Sequence, residues 1–454
     1  MLALALALGG CSRRIDRPDV ILVVIDTLRW DRLALSGYGR AVSPQIDRFA
    51  SGSVVFENAR AVASWTKPTV GSILTGYPPR QHGARHYDEG LRAVPTLATR
   101  LDVAGYTSRA VVANPFLANA GFERGFQQFR NLSKGQAWYV PGSRVTRAAV
   151  AALPEPSAGL HLFLYVHYLD PHDPYQPDPA AAAGLVRPYS GPARGSLEFV
   201  RGPLLQHRYE PSDADVRYIS DLYDAEIRTV DGAVGDLFDA LRAAGRYDDA
   251  WIVLTADHGE ELHDRGGWLH SYTLYEEQIH VPLIVKAPRR LGIEPGRRRA
   301  LVSQMDIVPT LLEALGLPAK DGDGGGLTLG GRSLLASLRD PEATLPERTL
   351  FAEQGFGRQD GRHGLGYTGR RGSLKWIEVD GEYSHHPTPP NGECYDLAQD
   401  PGERHNLVGT EVDPDCGELA EVVKAWRRED RAEGTILDLP PETVERLRAL
   451  GYTP

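Results

Sequence analysis

The 454-residue chain is 42% hydrophobic and 24% charged, which supplies apolar material for one large core or two unequal ones and excludes a disordered or fibrous protein. Its 50 Lys and Arg against 60 Asp and Glu leave a formal net charge of -10, a balance that argues against a nucleic-acid partner because there is no surplus of cations to neutralise phosphates. Three cysteines are too few for a disulfide framework or a Cys-rich zinc module, and no apolar run reaches the roughly 20 residues of a membrane-spanning helix.

Residues 1–10 form a short apolar stretch ending Leu8-Gly9-Gly10-Cys11, with Ser12, Arg13 and Arg14 directly after it. This resembles the end of a bacterial lipoprotein signal, which is cut before a cysteine that then carries lipid. Residues 1–18 are therefore expected to be signal and tether. Lipid on Cys11 would be the sole membrane association, holding the remainder outside the cytoplasm, in the periplasm or at the cell surface. In that oxidising compartment Cys394 and Cys416 could pair, the alternative being two unrelated thiols.

Val20 to Ile25 is a continuous, mostly β-branched run of strand length, apolar on both faces, as a central strand of an α/β sheet should be. Ser43 and Pro44 predict the opening of a helix, and Pro95 to Ala104, closed by Gly105, predicts another. Further strands are expected at Arg109 to Ala113, Leu162 to His167, Trp251 to Thr255 and Val281 to Lys286. From Asp213 to Ala243, apolar Val216, Ile219, Leu222, Ile227, Val230, Val234, Leu237 and Leu241 recur at mostly three- and four-residue spacing, the pattern of one long amphipathic helix. Strand alternates with helix, so the sheet should be largely parallel and sandwiched by helices.

Lys320 to Gly326 lacks periodicity and reads as a surface loop or linker. Past Leu350 the segments are short and strand-like, around Phe351, Trp376 and Tyr395, followed by a helical stretch from Glu418 to Arg428. The expected organisation is a main α/β domain over 19–340 and a smaller α+β subdomain with a helical tail over 341–454.

Ligands of open α/β sheets bind at the carboxyl ends of the strands. Here the first strand delivers Asp26, the Leu162 to His167 strand delivers Asp170 and His172, and the Trp251 to Thr255 strand delivers Asp257 and His258. Carboxylate oxygens with an imidazole suit a divalent cation such as Ca²⁺, Mg²⁺, Mn²⁺ or Zn²⁺. Each residue alone could be a capped turn, but their convergence points to a site. In Ser64-Trp65-Thr66-Lys67-Pro68-Thr69 the hydroxyls precede a helical stretch, where they either cap it or meet an anion at its positive end.

With these pieces in order, the chain resembles the sulfatase family of the alkaline phosphatase superfamily over nearly its whole length. The likeness rests on Asp26-Thr27-Leu28-Arg29-Trp30-Asp31; Thr66-Lys67-Pro68-Thr69 leading to Leu74-Thr75-Gly76-Tyr77-Pro78; His167-Tyr168-Leu169-Asp170-Pro171-His172; Asp257-His258-Gly259-Glu260; and Leu274-Tyr275-Glu276-Glu277. Cys394-Tyr395-Asp396-Leu397 with Asp400-Pro401 and Asn406-Leu407 resembles the family's C-terminal signature. The resemblance implies an alkaline-phosphatase-like fold and one divalent cation held by Asp26, Asp257, His258 and Thr66, with Ca²⁺, Mg²⁺ or Mn²⁺ expected ahead of Zn²⁺. It places the nucleophile at Thr66 and assigns anion contact or leaving-group protonation to His172 and His270. Lys67 and Asn114 are the expected substrate-binding residues, whereas Arg29 and Asp31 read as surface charges that could support the site and His82 and His86 as loop residues, the alternative being that they brace the site's own residues.

This sequence also departs from the family. Sulfatases of the usual kind convert a Cys or Ser to formylglycine, and threonine is not known to undergo that conversion. The Arg usually found four residues past the nucleophile is Val70, the Lys-Trp-His-Leu-Gly stretch is replaced around Val111 to Pro115, and the tandem aspartates are reduced to Asp26-Thr27. An unmodified Thr66 resembles the nucleophile of the superfamily's phosphotransferases and phosphodiesterases. The leading expectation is a metal-dependent hydrolase of anionic esters, phosphate favoured over sulfate, whose substrate could be a glycan or envelope polymer. The rivals are a true sulfatase lacking formylglycine and an inactive lipoprotein that binds an anionic glycan.

Overall fold

The computed structural model describes residues 17–133, 139–155, 160–319, 328–354, 365–380, 391–411, 413–429 and 433–439, with 441 and 444–445 beyond them. Cys11, most of the expected tether and the Lys320 to Gly326 stretch lie outside the described residues.

Val20–Ile25 is a strand in which every residue is fully buried. It sits near the middle of an eight-stranded sheet in the order Gly296–Ser303, Val54–Arg60, Leu283–Lys286, Trp251–Ala256, Val20–Ile25, His161–Tyr168, Tyr106–Val112, Gln128–Asn131. All pairings are parallel except those of Leu283–Lys286 with its two neighbours. Burial on both faces follows from two groups of helices. Pro44–Ser51 and Gly142–Ala151 pack on Asp213–Ala243, while Thr66–Thr75 packs with Pro79–His82, Leu97–Val103 and Ile307–Ala314. The fold is the α/β one expected, a largely parallel sheet sandwiched by helices.

Local chemistry sets the helix ends. Ser212 accepts from the Asp215 amide while the Asp215 carboxylate accepts from Ser212, a reciprocal box that starts the 31-residue helix at Asp213. The expected Pro95 to Ala104 helix begins two residues later, because Thr96 caps it by accepting from the Thr99 amide, and Gly105 ends it at a φ of 84°.

A second sheet, antiparallel throughout, is built from Leu350–Gln354, Leu365–Arg371, Leu374–Asp380 and Glu393–Asp396. Helix Asp413–Arg427 packs on it around Tyr367, Trp376, Leu419 and Val423, and a Cys394–Cys416 disulfide ties helix to strand. A buried ion cluster joins this unit to the large sheet. Lys375, fully buried, lies 2.7 Å from Glu403 and 3.0 Å from Glu276, and Arg60 pairs with Glu276 while Arg265 pairs with both Glu277 and Glu403.

Candidate active site

Four neighbouring strands bring the chemistry together at their carboxyl ends. In the parallel register Ile25 is level with Tyr168 and with Ala256, and Val112 is level with His167. Asp26, Asp257 and Asn114 therefore leave their strands at one height by strand pairing alone, with His258 next after Asp257 and His167 two residues below. Thr66 enters from the side as the first residue of Thr66–Thr75. The N-cap is Trp65, whose side chain makes no capping bond, so the Thr66 hydroxyl is not spent on capping.

That hydroxyl lies 3.5 Å from Asp26 Oδ2 and 3.4 Å from His258 Nε2. Asn114 Nδ2 donates to Asp26 Oδ2 at 2.7 Å and to Thr66 Oγ1 at 3.2 Å. His258 Nδ1 donates to the Gly259 carbonyl at 2.9 Å, which leaves the Nε2 lone pair 3.5 Å from a carboxylate oxygen of both Asp26 and Asp257. Asp257 Oδ1 accepts from the amides of Thr27 and His258. Thr27 holds a φ of 54°, a strained conformation for a β-branched residue and of the kind that clusters at functional sites.

The centre is short of positive charge. Asp26 and Asp257 are fully buried. Burial and then the charge of Asp257 hold the Asp26 carboxyl well above its ordinary value. Burial also pushes Asp257 up, but His258 and His167 outweigh it and bring that carboxyl below the ordinary value. Asp26 Oδ1, Asp257 Oδ2 and both ring nitrogens of His167 are buried without a hydrogen-bond partner. One ligand atom each from Asp26, His167 and Asp257 lie within 4.8 Å of one another. Orphaned buried carboxylate oxygens are costly unless a cation compensates them, so the residues present fit a divalent metal.

Two further imidazoles lead away from this centre. The His258 ring is 4.5 Å from that of His270, and His270 is 4.9 Å from His172. Glu260 Oε1 meets His270 Nδ1 at 2.9 Å, and His172 Nδ1 donates to the Asp173 carbonyl at 2.6 Å. Arg201 grips the Asp173 carboxylate through two bonds of 2.7 and 2.8 Å. Burial, then His258 and His172, hold His270 well below its ordinary value, and burial likewise lowers His172 against the pull of Asp173. Both directions favour the neutral imidazole.

The remaining residues singled out in the sequence are placed differently from one another. Lys67 is 1% exposed and its ammonium donates to the Tyr87 carbonyl at 2.5 Å, with burial drawing it down to about 7. Arg29 is not a surface charge: buried, it bridges Asp31 and Asp264 with bonds of 2.7 to 3.0 Å. His82 is not a loop residue either. It ends the short helix Pro79–His82, fully buried, with Nε2 within 3.1 Å of the Pro68 carbonyl and 3.2 Å of Ser72 Oγ. Gly71 permits this contact, since a Cβ there would lie 2.5 Å from the imidazole.

Two members of the cluster escaped the sequence reading, His167 and Glu260. The signal for His167 was present: an imidazole inside an otherwise apolar, fully paired strand must find a partner.

A family model described as Sulfatase matches residues 18–317. An arylsulfatase of Clostridium perfringens is 22% identical over 87% of this chain and 91% of its own length. Human arylsulfatase A is 25% identical over 90% and 86%. Among solved structures, a phosphonate monoester hydrolase from Silicibacter pomeroyi superposes with a TM-score of 0.72 at 24% identity, covering 91% of this chain and 96% of that one. With two-thirds of the chain matched by the family model and a fold shared along its length, the protein belongs to the sulfatase family of the alkaline phosphatase superfamily, hydrolases that act on ester bonds.

Proposed function

We propose that this protein is a metal-dependent hydrolase of anionic esters in which Thr66 is itself the nucleophile, with phosphate monoesters or diesters favoured over sulfates. The observation that carries the reading is the Thr66 hydroxyl: helical but free of capping duty, and within 3.5 Å of Asp26, His258 and Asn114 together. A divalent cation held by Asp26, Asp257, His258 and Thr66 would lower the hydroxyl pKa and neutralise charge developing on the reacting group.

The chain's own groups supply the rest. Asn114, donating one N–H to Thr66 Oγ1 and fixed through the other by its bond to Asp26, orients the attacking oxygen. The neutral His172 and His270 stand beyond His258 on the path out of the centre. Glu260 and the Asp173–Arg201 pair hold their rings, and a proton taken up there can pass to the leaving oxygen. A threonine cannot form the hydrated aldehyde that sheds sulfate. The ester passed to Thr66 must therefore be released by a second attack, from water or another acceptor.

Phosphorus chemistry gains support from the phosphonate monoester hydrolase neighbour. An unusual sulfatase is the second reading, favoured by the arylsulfatase relatives. A solved neighbour in complex with its substrate D-glucosamine-2-N,6-O-disulfate, with a TM-score of 0.72 at 20% identity, supports a glycan as the organic half. Lipid anchoring through Cys11 outside the cytoplasm belongs to the same proposal and is supported by the Cys394–Cys416 bridge, since such bonds persist in oxidising compartments.

The test is parallel turnover of matched aryl phosphate, aryl phosphonate and aryl sulfate by the wild type and by Thr66→Ala. Faster turnover of the phosphorus esters, lost in the variant, is expected. Aryl sulfate as the fastest substrate would transfer the assignment to the second reading, and activity retained by Thr66→Ala would remove the nucleophile.

A further inference from the structure

We infer that His167 is a direct ligand of the cation and that the site therefore selects Zn²⁺ over Ca²⁺ and Mg²⁺. This rests on the cation site proposed above and adds to it both a ligand and a metal preference.

Thr27 brings no carboxylate to the centre. Where the family's second aspartate would stand, this chain has a short hydroxyl whose oxygen is buried without a partner, and only two carboxylates, Asp26 and Asp257, remain at the centre. Ca²⁺ takes roughly six to eight oxygen ligands, and with Asp257 Oδ1 and Asp26 Oδ2 already accepting from the Thr27 and His258 amides and from Asn114, the side-chain oxygens left to face an ion fall short of that number. On the facing strand His167 is fully buried with both nitrogens unpartnered.

Its Nε2 lies 3.7 Å from Asp257 Oδ2, too far for a hydrogen bond. His258 Nε2 stands 3.5 Å from the same oxygen and 3.5 Å from Asp26 Oδ1. Donors bound at about 2.0 to 2.2 Å to one ion sit roughly 3 to 3.5 Å apart, close to these imidazole–carboxylate separations, and one donor atom each of Asp26, His167 and Asp257 lies within 4.8 Å of the others. Asp257 Oδ2 and Asp26 Oδ1, which face the two imidazoles, are also the oxygens without partners.

The strand pairing makes this arrangement rigid. His167 is level with Val24 on one side and with Val112 on the other, each two residues short of Asp26 and Asn114 at parallel strand ends. Two carboxylates, two imidazoles and the Thr66 hydroxyl form a mixed nitrogen and oxygen set. Carboxylates and water suit Ca²⁺ and Mg²⁺, whereas imidazole suits zinc-like ions, which also stand above Mn²⁺ in general affinity.

The test uses the full chain stripped of metal with a chelator, titrated calorimetrically with Zn²⁺, Mn²⁺, Ca²⁺ and Mg²⁺. The same protein loaded with Mn²⁺ is examined by pulsed EPR for nitrogen couplings. Zn²⁺ should bind about 100-fold or more tighter than Ca²⁺, and His167→Gln should weaken Zn²⁺ about tenfold or more. Two imidazole nitrogens should couple to Mn²⁺ in the wild type and one in the variant, and the wild-type count stands even if the variant misfolds. A single coupled nitrogen in the wild type, or Ca²⁺ binding as tightly as Zn²⁺, overturns the inference while leaving a cation on Asp26, Asp257 and His258. A wild type that binds none of the four ions overturns the cation site itself, and this inference with it.

Discussion

Replacing Asn114 separates positioning from packing at the reacting oxygen. Its Nδ2 donates at 2.7 Å to the buried Asp26 carboxylate and at 3.2 Å to Thr66 Oγ1, while its Oδ1 accepts from the Phe116 amide at 2.9 Å. A bond to a buried charge is worth about 2 kcal/mol and one between neutral groups about 1 kcal/mol. Asn114→Ala removes the donor that orients the Thr66 oxygen and should lower kcat/KM by about 3 kcal/mol, a factor on the order of 10²–10³ and the range seen on removal of one donor at a reacting oxygen. It should also reduce unfolding free energy by about 3 to 4 kcal/mol through the lost bonds to Asp26, Thr66 and the Phe116 amide. Asn114→Asp removes the donor alone, because a carboxylate still accepts from Phe116 but cannot donate and sets a third negative charge beside Asp26. The aspartate variant should keep the Phe116 contact and lose activity as severely as alanine. The assay is kcat/KM on the aryl ester turned over fastest, alongside urea unfolding. An alanine variant within about threefold of wild type in kcat/KM would refute the reasoning, since a donor used in the reaction contributes at least ten times that.

Three other outcomes follow from the geometry. Burial raises Asp231 to about 6 even though it accepts from the Gln45 and Ile46 amides. A folded value above the unfolded one means stability that is complete below about pH 4 and lost as pH rises through 6, so Asp231→Asn should lose about 3 kcal/mol less than wild type between pH 4 and 7. A parallel pH profile for the two proteins in chemical denaturation would contradict this. The Cys394–Cys416 bridge spans 22 residues, so its double alanine variant should be less stable by about 3 kcal/mol in non-reducing urea melts, and an unchanged midpoint would show that the buried contacts of the helix suffice. Lys375→Met should destabilise by about 3 to 5 kcal/mol, because Glu276 and Glu403 are left buried without it; a change below 1 kcal/mol would mean that Arg60 and Arg265 already neutralise them.

Much of this fold was legible in the sequence for a physical reason. Val20–Ile25 and Asp213–Ala243 each carry one uninterrupted pattern, continuous burial in the strand and a helical apolar face closed by a capping box, and both appear with the expected bounds. Gly296–Ser303 was not foreseen. It is an edge strand whose arginines face outward in part and whose register slips between Arg298 and Leu301, so no period survives. Val54–Arg60 was missed for a related reason, since Glu57 and Asn58 interrupt its apolar run where burial is only partial.

The candidate site divides in the same way. Asp26 and Asp257 announce themselves as carboxylates placed directly after apolar strands. His167 carries a local signal, an imidazole in an apolar strand, but its place beside Asp26 depends on lateral pairing with Val24, which is non-local. Whether the Thr66 hydroxyl capped its helix or faced a ligand could not be decided locally. It is decided by Trp65 taking the cap position and by Asp26 and His258 approaching from two other strands.

The central claim is that an unmodified threonine makes and breaks a covalent bond to the substrate. Brief exposure of the metal-loaded protein to an aryl phosphate, an acid quench and peptide mass analysis tests it most directly. The account predicts a phosphoryl group on Thr66 that appears within one turnover and decays as product accumulates, and that is absent from Asp257→Asn. A Thr66 peptide that stays unmodified while the wild type turns over, together with undiminished turnover by Thr66→Ala, would contradict it.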